Sequence, residues 1–293
     1  MKQKNTTAGI IFDIFNVIFM LALMIISVYP LYYVIMASFS DPNELMKQLG
    51  ILLKPAGFST AGYEAVLKNE DIYIGYGNTL LYVAAGMIFS FIASTLFAYA
   101  LSRRVAKYAK FLSIYLTITM FFSGGMMPLY LVVRMLGLLN TRWSVILPVL
   151  ISAYNTIVLR TAFSSVPESL IEAAKIDGAS EFRIYARIVL PLSGATIAVF
   201  FLFTGVQYWN SWFNAMIYLQ DRSKFPLQLF LQEILVANNS DTMTQGSGAN
   251  ARAALKEIIK YSTIVVSTLP ILAIYPFVQK YFVNGVMIGA VKG

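Results

Sequence analysis

Long apolar runs separated by short charged segments dominate the chain. Six of these runs are long enough to cross the hydrocarbon core of a bilayer, which takes roughly 17–25 residues in a helix. They lie at residues 11–36, 78–101, 111–133, 143–159, 194–219 and 259–282. The first run is longer than the core of a signal peptide, which favours a retained span over a cleaved signal. The pattern predicts an all-α membrane protein with six transmembrane helices in one domain, residues 1–293.

The basic residues set the expected orientation of these spans. With the first residues inside the cell, the inner segments hold 12 of the 22 basic residues but only 5 of the 14 acidic ones. Arg103, Arg104, Lys107 and Lys110 share one short loop, and Lys and Arg in short loops determine orientation. We therefore expect both termini in the cytoplasm. The net charge of +8 then indicates topology and argues against a nucleic acid partner.

The composition limits the chemistry that this chain can perform. Apolar residues make up 58% of the sequence and charged residues 12%, about half of the charged share of a soluble domain. The sequence contains no His and no Cys, which excludes thiol nucleophiles, imidazole catalysis and the usual zinc ligands. It also lacks a phosphate-binding loop of the G-x-x-x-x-G-K-[ST] type. We therefore expect no catalytic residue, no metal site and no cofactor bound by this chain.

Three segments between the spans are long enough to have functions of their own. Residues 40–77 and 220–258 are expected outside the cell, and residues 160–193 inside it. The outer pair are polar and rich in turn residues, which is typical of exposed loops. The inner segment differs from them because its pattern predicts two short helices.

The first of these inner helices is apolar over much of its surface, although it lies outside any span. Its apolar side chains are Leu170, Ile171, Ala173, Ala174 and Ile176. Ser165 and Glu168 have the spacing of a capping box and predict where the helix begins. Asp177 and Gly178 end it, because glycine accepts a left-handed backbone that costs other residues about 1–2 kcal/mol. A second helix follows from Ser180. Apolarity alone also fits a helix on the membrane surface or one packed under its own bundle.

The string EAAKIDGASEFRIYARIVLPL, from Glu172 to Leu192, resembles the cytoplasmic coupling loop of permease subunits in binding-protein-dependent ABC importers. The family pattern is EAA, then a glycine, then an apolar stretch with Leu-Pro. On these residues the chain is identified as a member of that family, with the fold of a type I importer permease. The resemblance implies that the loop docks on a separate ATPase subunit. The contact residues it implies are Leu170, Ile171, Glu172, Ala173, Ala174, Ile176, Asp177, Gly178, Leu190 and Pro191.

Further stretches resemble the carbohydrate-uptake branch of the family. They are GGMMPLY at 124–130, LGLLNTRW at 136–143, Trp209-Asn210 and the ending NGVMIGAVKG at 284–293. FFSGGMMPLY and the chain length are most similar to permeases for complex oligosaccharides or polysaccharide fragments. Ala195 departs from the pattern, since many relatives have a second proline there. The resemblance implies ATP-driven uptake of such saccharides, and import of peptides or amino acids is the alternative.

The resemblance also implies a set of partners. They are a second permease subunit, expected to be a different chain, two ATPase subunits that bind ATP and Mg²⁺, and an extracytoplasmic solute-binding protein. The solute-binding protein would face the two outer loops. In relatives the tail, residues 284–293, reaches between the ATPase subunits, which would bring Gly285, Gly289 and Lys292 into contact with them. We expect a multi-pass protein of the bacterial cytoplasmic membrane, surrounded by lipid.

The fifth span is the most polar and contains most of the candidates for contact with substrate. The candidates are Gln207, Tyr208, Trp209, Asn210 and Asn214 there, with Asn78 in the second span and Asn155 in the fourth. Gln207, Asn210 and Asn214 share one face of a continuous helix, and such polar groups would be costly against lipid. Hydrogen bonding between helices explains them equally well. No ionisable residue lies deep in any span, which disfavours an ion-coupled or proton-coupled carrier.

Overall fold

Helices make up the architecture of the chain. The computed structural model describes residues 7–48, 50–103, 108–241 and 249–290. The helices are α1 (Thr7–Ser38), α2 (Pro42–Lys47), α3 (Ala61–Lys68), α4 (Glu70–Ser102), α5 (Ala109–Phe121), α6 (Met126–Met135), α7 (Trp143–Ile146), α8 (Ala153–Ser164), α9 (Glu168–Ile176), α10 (Glu181–Ile184), α11 (Leu190–Leu192), α12 (Gly194–Trp209), α13 (Trp212–Tyr218), α14 (Leu227–Asp241) and α15 (Ala249–Ala290). β-Pairing within these ranges is confined to an isolated bridge between Ser40 and Phe58. The predicted all-α class is confirmed.

The described residues offer between three and six membrane spans. Gly9–Ser38 in α1, Glu70–Ser102 and Ala254–Ile274 in α15 are each long and apolar enough to cross a bilayer. Three further pairs of consecutive helices are long and apolar enough to cross a bilayer only if both helices of the pair are counted together. They are Ala109–Phe121 with Met126–Met135, bent by 117°, Trp143–Val149 with Ala153–Ser164, by 52°, and Glu181–Leu192 with Gly194–Trp209, by 83°. The predicted number of six equals the upper value, which holds if each bent pair is one span. The bounds of the fifth span differ, because the third pair includes Glu181–Leu192, predicted inside the cell, and ends at Trp209.

Three of the predicted spans are interrupted, residues 143–159 between Val149 and Ala153 and two others within apolar sequence. Residues 111–133 form α5 and α6 with a break at 122–125, where Gly125 adopts a φ of +85° that glycine tolerates. Residues 194–219 form α12 and α13 with a break at Asn210 and Ser211. The apolar pattern continues across both breaks, so hydropathy alone predicts uninterrupted helices there. The segments predicted as outer loops also contain helices, namely α2, α3 and α14.

The chain divides into two compact units, of which the first comprises Met1–Asn69 and Glu233–Leu269. Its small core contains Ala37, Leu45, Leu52 and Ile258. The Tyr29 hydroxyl accepts a hydrogen bond from the Leu52 backbone N–H at 3.0 Å, which holds the segment after α2 against α1. The apolar side chains of α1 are exposed along most of its length. A helix this apolar and this exposed requires lipid or another protein around it.

The second unit, Glu70–Gln232 with Pro270–Gly293, is built around α4, which packs against α8 and α12. Two hydrophobic clusters form along α4. The Tyr82 cluster consists of Tyr82, Val145, Ile146, Tyr208, Ala215, Leu219, Phe225, Leu229 and Phe230. The Tyr99 cluster consists of Ala98, Tyr99, Leu159, Phe163, Val166, Ile171, Ile184, Tyr185, Val189 and Phe200. The second cluster joins α4 to the segment after α8, which contains the candidate coupling loop.

The close approach of α4 to α12 depends on Gly86. A Cβ added there would lie 2.5 Å from the ring of Tyr208, so Gly86→Ala is expected to force the two helices apart and destabilise the domain by about 1–3 kcal/mol. Gly77→Ala is the matched control on the same helix, because a Cβ at Gly77 meets nothing within 4 Å. This control should be neutral or stabilise the helix by up to about 1 kcal/mol. Thermal unfolding of the purified protein in detergent measures both, and equal melting temperatures would contradict the packing argument.

Candidate coupling loop and polar pathway

The candidate coupling loop begins with α9, which starts without a side-chain cap. Pro167 occupies the position before the helix. Ser165 ends α8 instead, and its hydroxyl donates to the Ala162 carbonyl at 2.7 Å. The predicted capping box of Ser165 and Glu168 is therefore wrong, because the serine hydroxyl already caps the preceding helix.

The end of α9 is a left-handed turn at Gly178. Its φ is +75°, as the sequence predicts. The Gly178 N–H donates to the Lys175 carbonyl at 3.0 Å, and the Ala179 N–H donates to the Ala174 carbonyl at 2.9 Å. These two bonds form a Schellman motif, which satisfies carbonyls that the helix end leaves free. A Cβ at Gly178 would meet nothing within 4 Å, so the backbone conformation alone requires glycine here.

The second short helix also begins as predicted. The Ser180 hydroxyl accepts a hydrogen bond from the Arg183 backbone N–H and caps α10. A π-helical turn, Tyr185–Val189, follows and continues into α11, which contains Leu190 and Pro191. The chain then bends by 83° into α12 at Ser193 and Gly194. The bend therefore forms although Ala195 stands where many relatives have proline.

The side chains of α9 fall on two different faces. Ile171 is 1% exposed and belongs to the Tyr99 cluster, and Ala174 packs against that cluster. Leu170 and Ile176 are 46% and 87% exposed. The other implied docking residues that are exposed are Glu172, Ala173, Asp177, Gly178 and Pro191, while Leu190 is half-buried. The structure therefore corrects the expectation for Ile171, which is buried in its own chain and is unavailable to a partner.

Polar side chains connect the loop to α4. The Tyr99 hydroxyl donates to Glu181 Oε2 at 2.6 Å, and Lys175 Nζ lies 2.8 Å from Glu181 Oε1. One turn earlier on α4, the hydroxyls of Thr95 and Tyr185 are 2.7 Å apart. The contacts of Tyr99 with Glu181 and of Thr95 with Tyr185 could not be predicted, because nothing local in the sequence pairs residues about 80–90 positions apart. Together they give the coupling loop a directional, hydrogen-bonded attachment to α4.

Four of the predicted pathway residues are buried, namely Tyr208, Asn78, Trp209 and Asn155, and the first two form hydrogen bonds to distant parts of the chain. Tyr208 is fully buried, and its hydroxyl bonds to Ser90 Oγ at 3.0 Å and to the Ile146 carbonyl at 3.2 Å. Asn78 Nδ2 donates to the carbonyls of Ser223 and Phe225 at 2.8 and 3.1 Å. For these two residues the structure therefore supports the alternative interpretation, in which hydrogen bonds hold the helices together.

The remaining pathway candidates do not lie on one continuous helix, because α12 ends at Trp209. Gln207 and Asn210 are exposed, and Asn214 is half-buried beyond the break. Within the described part of the chain, Trp209 Nε1 and Ser211 Oγ are buried and have no hydrogen-bond partner.

Asn155 is buried near the start of α8, where its backbone N–H donates to the capping hydroxyl of Ser152.

In the predicted tail, Gly285 and Gly289 belong to α15, and Lys292 lies outside the described residues.

The LGLLNTRW stretch has a structural role in the segment that follows α13. Asn140 adopts a left-handed φ of 56°, and its Oδ1 accepts hydrogen bonds from the backbone N–H groups of Gln220 and Asp221, each at 3.1 Å. Hydrogen bonds from the Ser223 hydroxyl and backbone lower the pKa of the Asp221 carboxyl. Lys224 Nζ donates to the Asn140 carbonyl at 2.9 Å. These bonds hold the segment in one conformation beside the first turns of α4.

Residues 86–215 match the family described as binding-protein-dependent transport system inner membrane component. The chain belongs to this family, which confirms the identification from Glu172–Leu192 and, with it, the type I permease fold.

Relatives and a solved structure cover nearly the whole chain. The sequence is 38% identical over 291 residues to "Protein LplC" of Bacillus subtilis (strain 168), covering 99% of this chain and 98% of that protein. It is 40% identical over 286 residues to "Polygalacturonan/rhamnogalacturonan transport system permease protein YtcP" of the same organism, covering 97% and 99%. A chain of a bacterial ABC transporter involved in the import of the acidic polysaccharide alginate matches with a TM-score of 0.87 at 29% identity, covering 96% of this chain and 100% of that one.

Proposed function

We propose that this chain is the transmembrane permease subunit of an ATP-driven importer for oligosaccharides or polysaccharide fragments. The observation that carries the proposal is the two-sided α9, which is anchored in the Tyr99 cluster by Ile171 and presents Leu170 and Ile176 outwards. An ATPase subunit is the expected occupant of the outward face. The names of the relatives support a saccharide substrate, since one is a polygalacturonan/rhamnogalacturonan permease and the solved transporter imports alginate.

In this proposal the loop transmits movement mechanically. Closure of two ATPase subunits on ATP and Mg²⁺ displaces α9, and Ile171 passes the displacement to the Tyr99 cluster. The bond between Tyr99 and Glu181 pulls on α4, while the π turn and the 83° bend redirect the movement into α12. Packed interfaces of this kind switch between arrangements instead of deforming gradually, which suits alternating access.

The proposed substrate pathway runs past the break between α12 and α13. Gln207 and Asn210 are exposed there, and their amide groups can donate and accept hydrogen bonds to sugar hydroxyls. A second permease, expected to be a different chain, completes the pore. An extracytoplasmic solute-binding protein delivers the substrate. We place both termini in the cytoplasm, because that orientation collects most of the Lys and Arg residues on the inner side.

Purification in mild detergent followed by reconstitution tests this function. We expect a second permease and an ATPase to copurify, and we expect ATP-dependent uptake of an acidic or neutral oligosaccharide but not of a peptide by the reconstituted complex. Gln207→Ala should reduce uptake without lowering the melting temperature, because this side chain is exposed. Uptake that needs no ATP and follows a proton gradient would contradict the proposal and favour a secondary carrier. Uptake of peptides alone would contradict the saccharide assignment.

A further inference from the structure

A large cavity opens in the second unit between the end of α4, the first half of α5 and the end of α8. Its volume is about 1240 Å³, and its wall continues into the residues that lead to α9. None of the residues proposed for docking or for the substrate pathway lines it. It is therefore a feature for which the proposed transport function gives no role.

One part of the cavity wall is cationic. Arg103, Lys110 and Arg160 line it, against the single carboxylate of Glu168. The Arg103 guanidinium lies 4.7 Å from the centre of the Tyr99 ring, yet its Nε and Nη2 atoms are buried and have no hydrogen-bond partner among the described residues. Burying charged donors without an acceptor is strongly unfavourable. Alongside a hydrogen bond from Lys175, the nearby Arg103 guanidinium helps to lower the pKa of the Glu181 carboxyl. In the cavity wall itself, however, three basic side chains face one carboxylate. The wall therefore has an excess of positive charge that an anion would balance.

Another part of the wall is apolar. Ile114 and Ile118 of α5 line the cavity and are 52% and 50% exposed, and Leu101 and Phe163 line it as well. Such an apolar wall offers no favourable contact to a free inorganic anion. A phospholipid has both parts, a charged phosphate and an acyl chain, so the combined lining fits it better than it fits a free oxyanion or a saccharide.

The expected topology places this cavity where anionic lipid is found. The loop that contains Arg103 and Lys110 is the strongest inner-side signal in the sequence, and basic pockets between helices on that side bind anionic headgroups. Topology explains why the loop is basic, but it does not account for Arg160, which lies on α8 and adds a third basic side chain to the same wall.

We propose that this cavity binds an anionic phospholipid from the inner leaflet. Its phosphate pairs with Arg103, Lys110 and Arg160, and one acyl chain lies along Ile114 and Ile118. Because Pro167 and Glu168 line the same cavity, the lipid would stand directly beside the start of α9.

Native mass spectrometry of the whole purified complex, exchanged into detergent with phosphatidylglycerol or phosphatidylcholine, tests the proposal. We expect retained phosphatidylglycerol to bind about fivefold more weakly in each of Arg103→Gln and Lys110→Gln, with phosphatidylcholine unaffected. Arg183→Gln is the matched control, since Arg183 is an exposed basic residue of α10 that does not line the cavity. Ile118→Ser should also weaken phosphatidylglycerol binding, because it removes part of the apolar wall. This variant leaves all charges unchanged, so it tests the site even if Arg103→Gln fails to assemble.

Three results would contradict the proposal that this cavity binds an anionic lipid. One is an equal loss in Arg183→Gln, which would mean general attraction to the basic surface. Another is unchanged phosphatidylglycerol binding in both Arg103→Gln and Ile118→Ser. The third is binding of inorganic phosphate or of an oligogalacturonate that depends on Arg103 and displaces the lipid, which would assign the cavity to a soluble oxyanion. Lipid retention is measured without transport, so this test does not depend on the outcome of the uptake experiments.

Discussion

Replacing Gly178 by valine is expected to abolish ATP-driven uptake while the membrane domain stays folded. The left-handed φ of +75° costs an ordinary residue about 1–2 kcal/mol, and a β-branched side chain tolerates it least. Valine should therefore break the two hydrogen bonds from Gly178 and Ala179 that end α9 and change the angle at which α10 follows. In the reconstituted complex we expect substrate-stimulated ATP hydrolysis and uptake to fall at least about tenfold, about 1.4 kcal/mol in barrier height.

Gly178→Asn is the matched control for this prediction. Asparagine tolerates the left-handed region, and the space around the position accommodates either side chain because a Cβ meets nothing within 4 Å. The asparagine variant should keep most of the activity, and both variants should be present in the membrane in normal amounts. Equal activity in the valine and asparagine variants would show that the turn does not govern coupling.

The turn at Gly178 could be predicted from the sequence because its cause is local. A glycine after an apolar helical run signals a left-handed end whatever surrounds it, and the cap at Ser180 is equally local. The breaks at residues 122–125 and at Asn210–Ser211 could not be predicted from hydropathy, since the apolar pattern is the same on both sides of each break. Locating them requires knowledge of what the interrupted helices pack against.

The hydrogen-bond partners of the buried polar side chains could not be predicted from the sequence either. Asn78 and Tyr208 are predicted as pathway residues from their polar character within spans, but that character does not give their partners. Their hydrogen bonds go to Ser223, Phe225 and Ser90, which are 118–147 positions away along the chain. A polar face in a membrane helix therefore predicts an inward orientation, and only the fold separates side chains that hold helices together from those free to contact a substrate.

Two isoleucines on α9 allow the anchoring and the docking functions of that helix to be separated. Ile171 is 1% exposed and Ile176 is 87% exposed. Substitution by alanine should therefore change permease stability at Ile171 and ATPase binding at Ile176. Ile171→Ala leaves a cavity in the Tyr99 cluster and should destabilise the permease by about 2–5 kcal/mol. Ile176→Ala removes no internal contact and should leave permease stability within about 0.5 kcal/mol, but it should weaken binding of the ATPase by about 1–2 kcal/mol or more.

Measuring the melting temperature of the permease and the affinity of the ATPase separately distinguishes the two effects. Ile171→Ala should lower the melting temperature, and any loss of ATPase binding should follow from that. Ile176→Ala should shift only the affinity, about 5- to 30-fold, because an exposed isoleucine contributes through the partner that covers it. If Ile176→Ala binds the ATPase as tightly as the unmodified chain, α9 does not dock through this face. If Ile171→Ala melts unchanged, the Tyr99 cluster does not anchor the loop, and movement of α9 would have to reach α4 through Glu181 and Tyr99 alone.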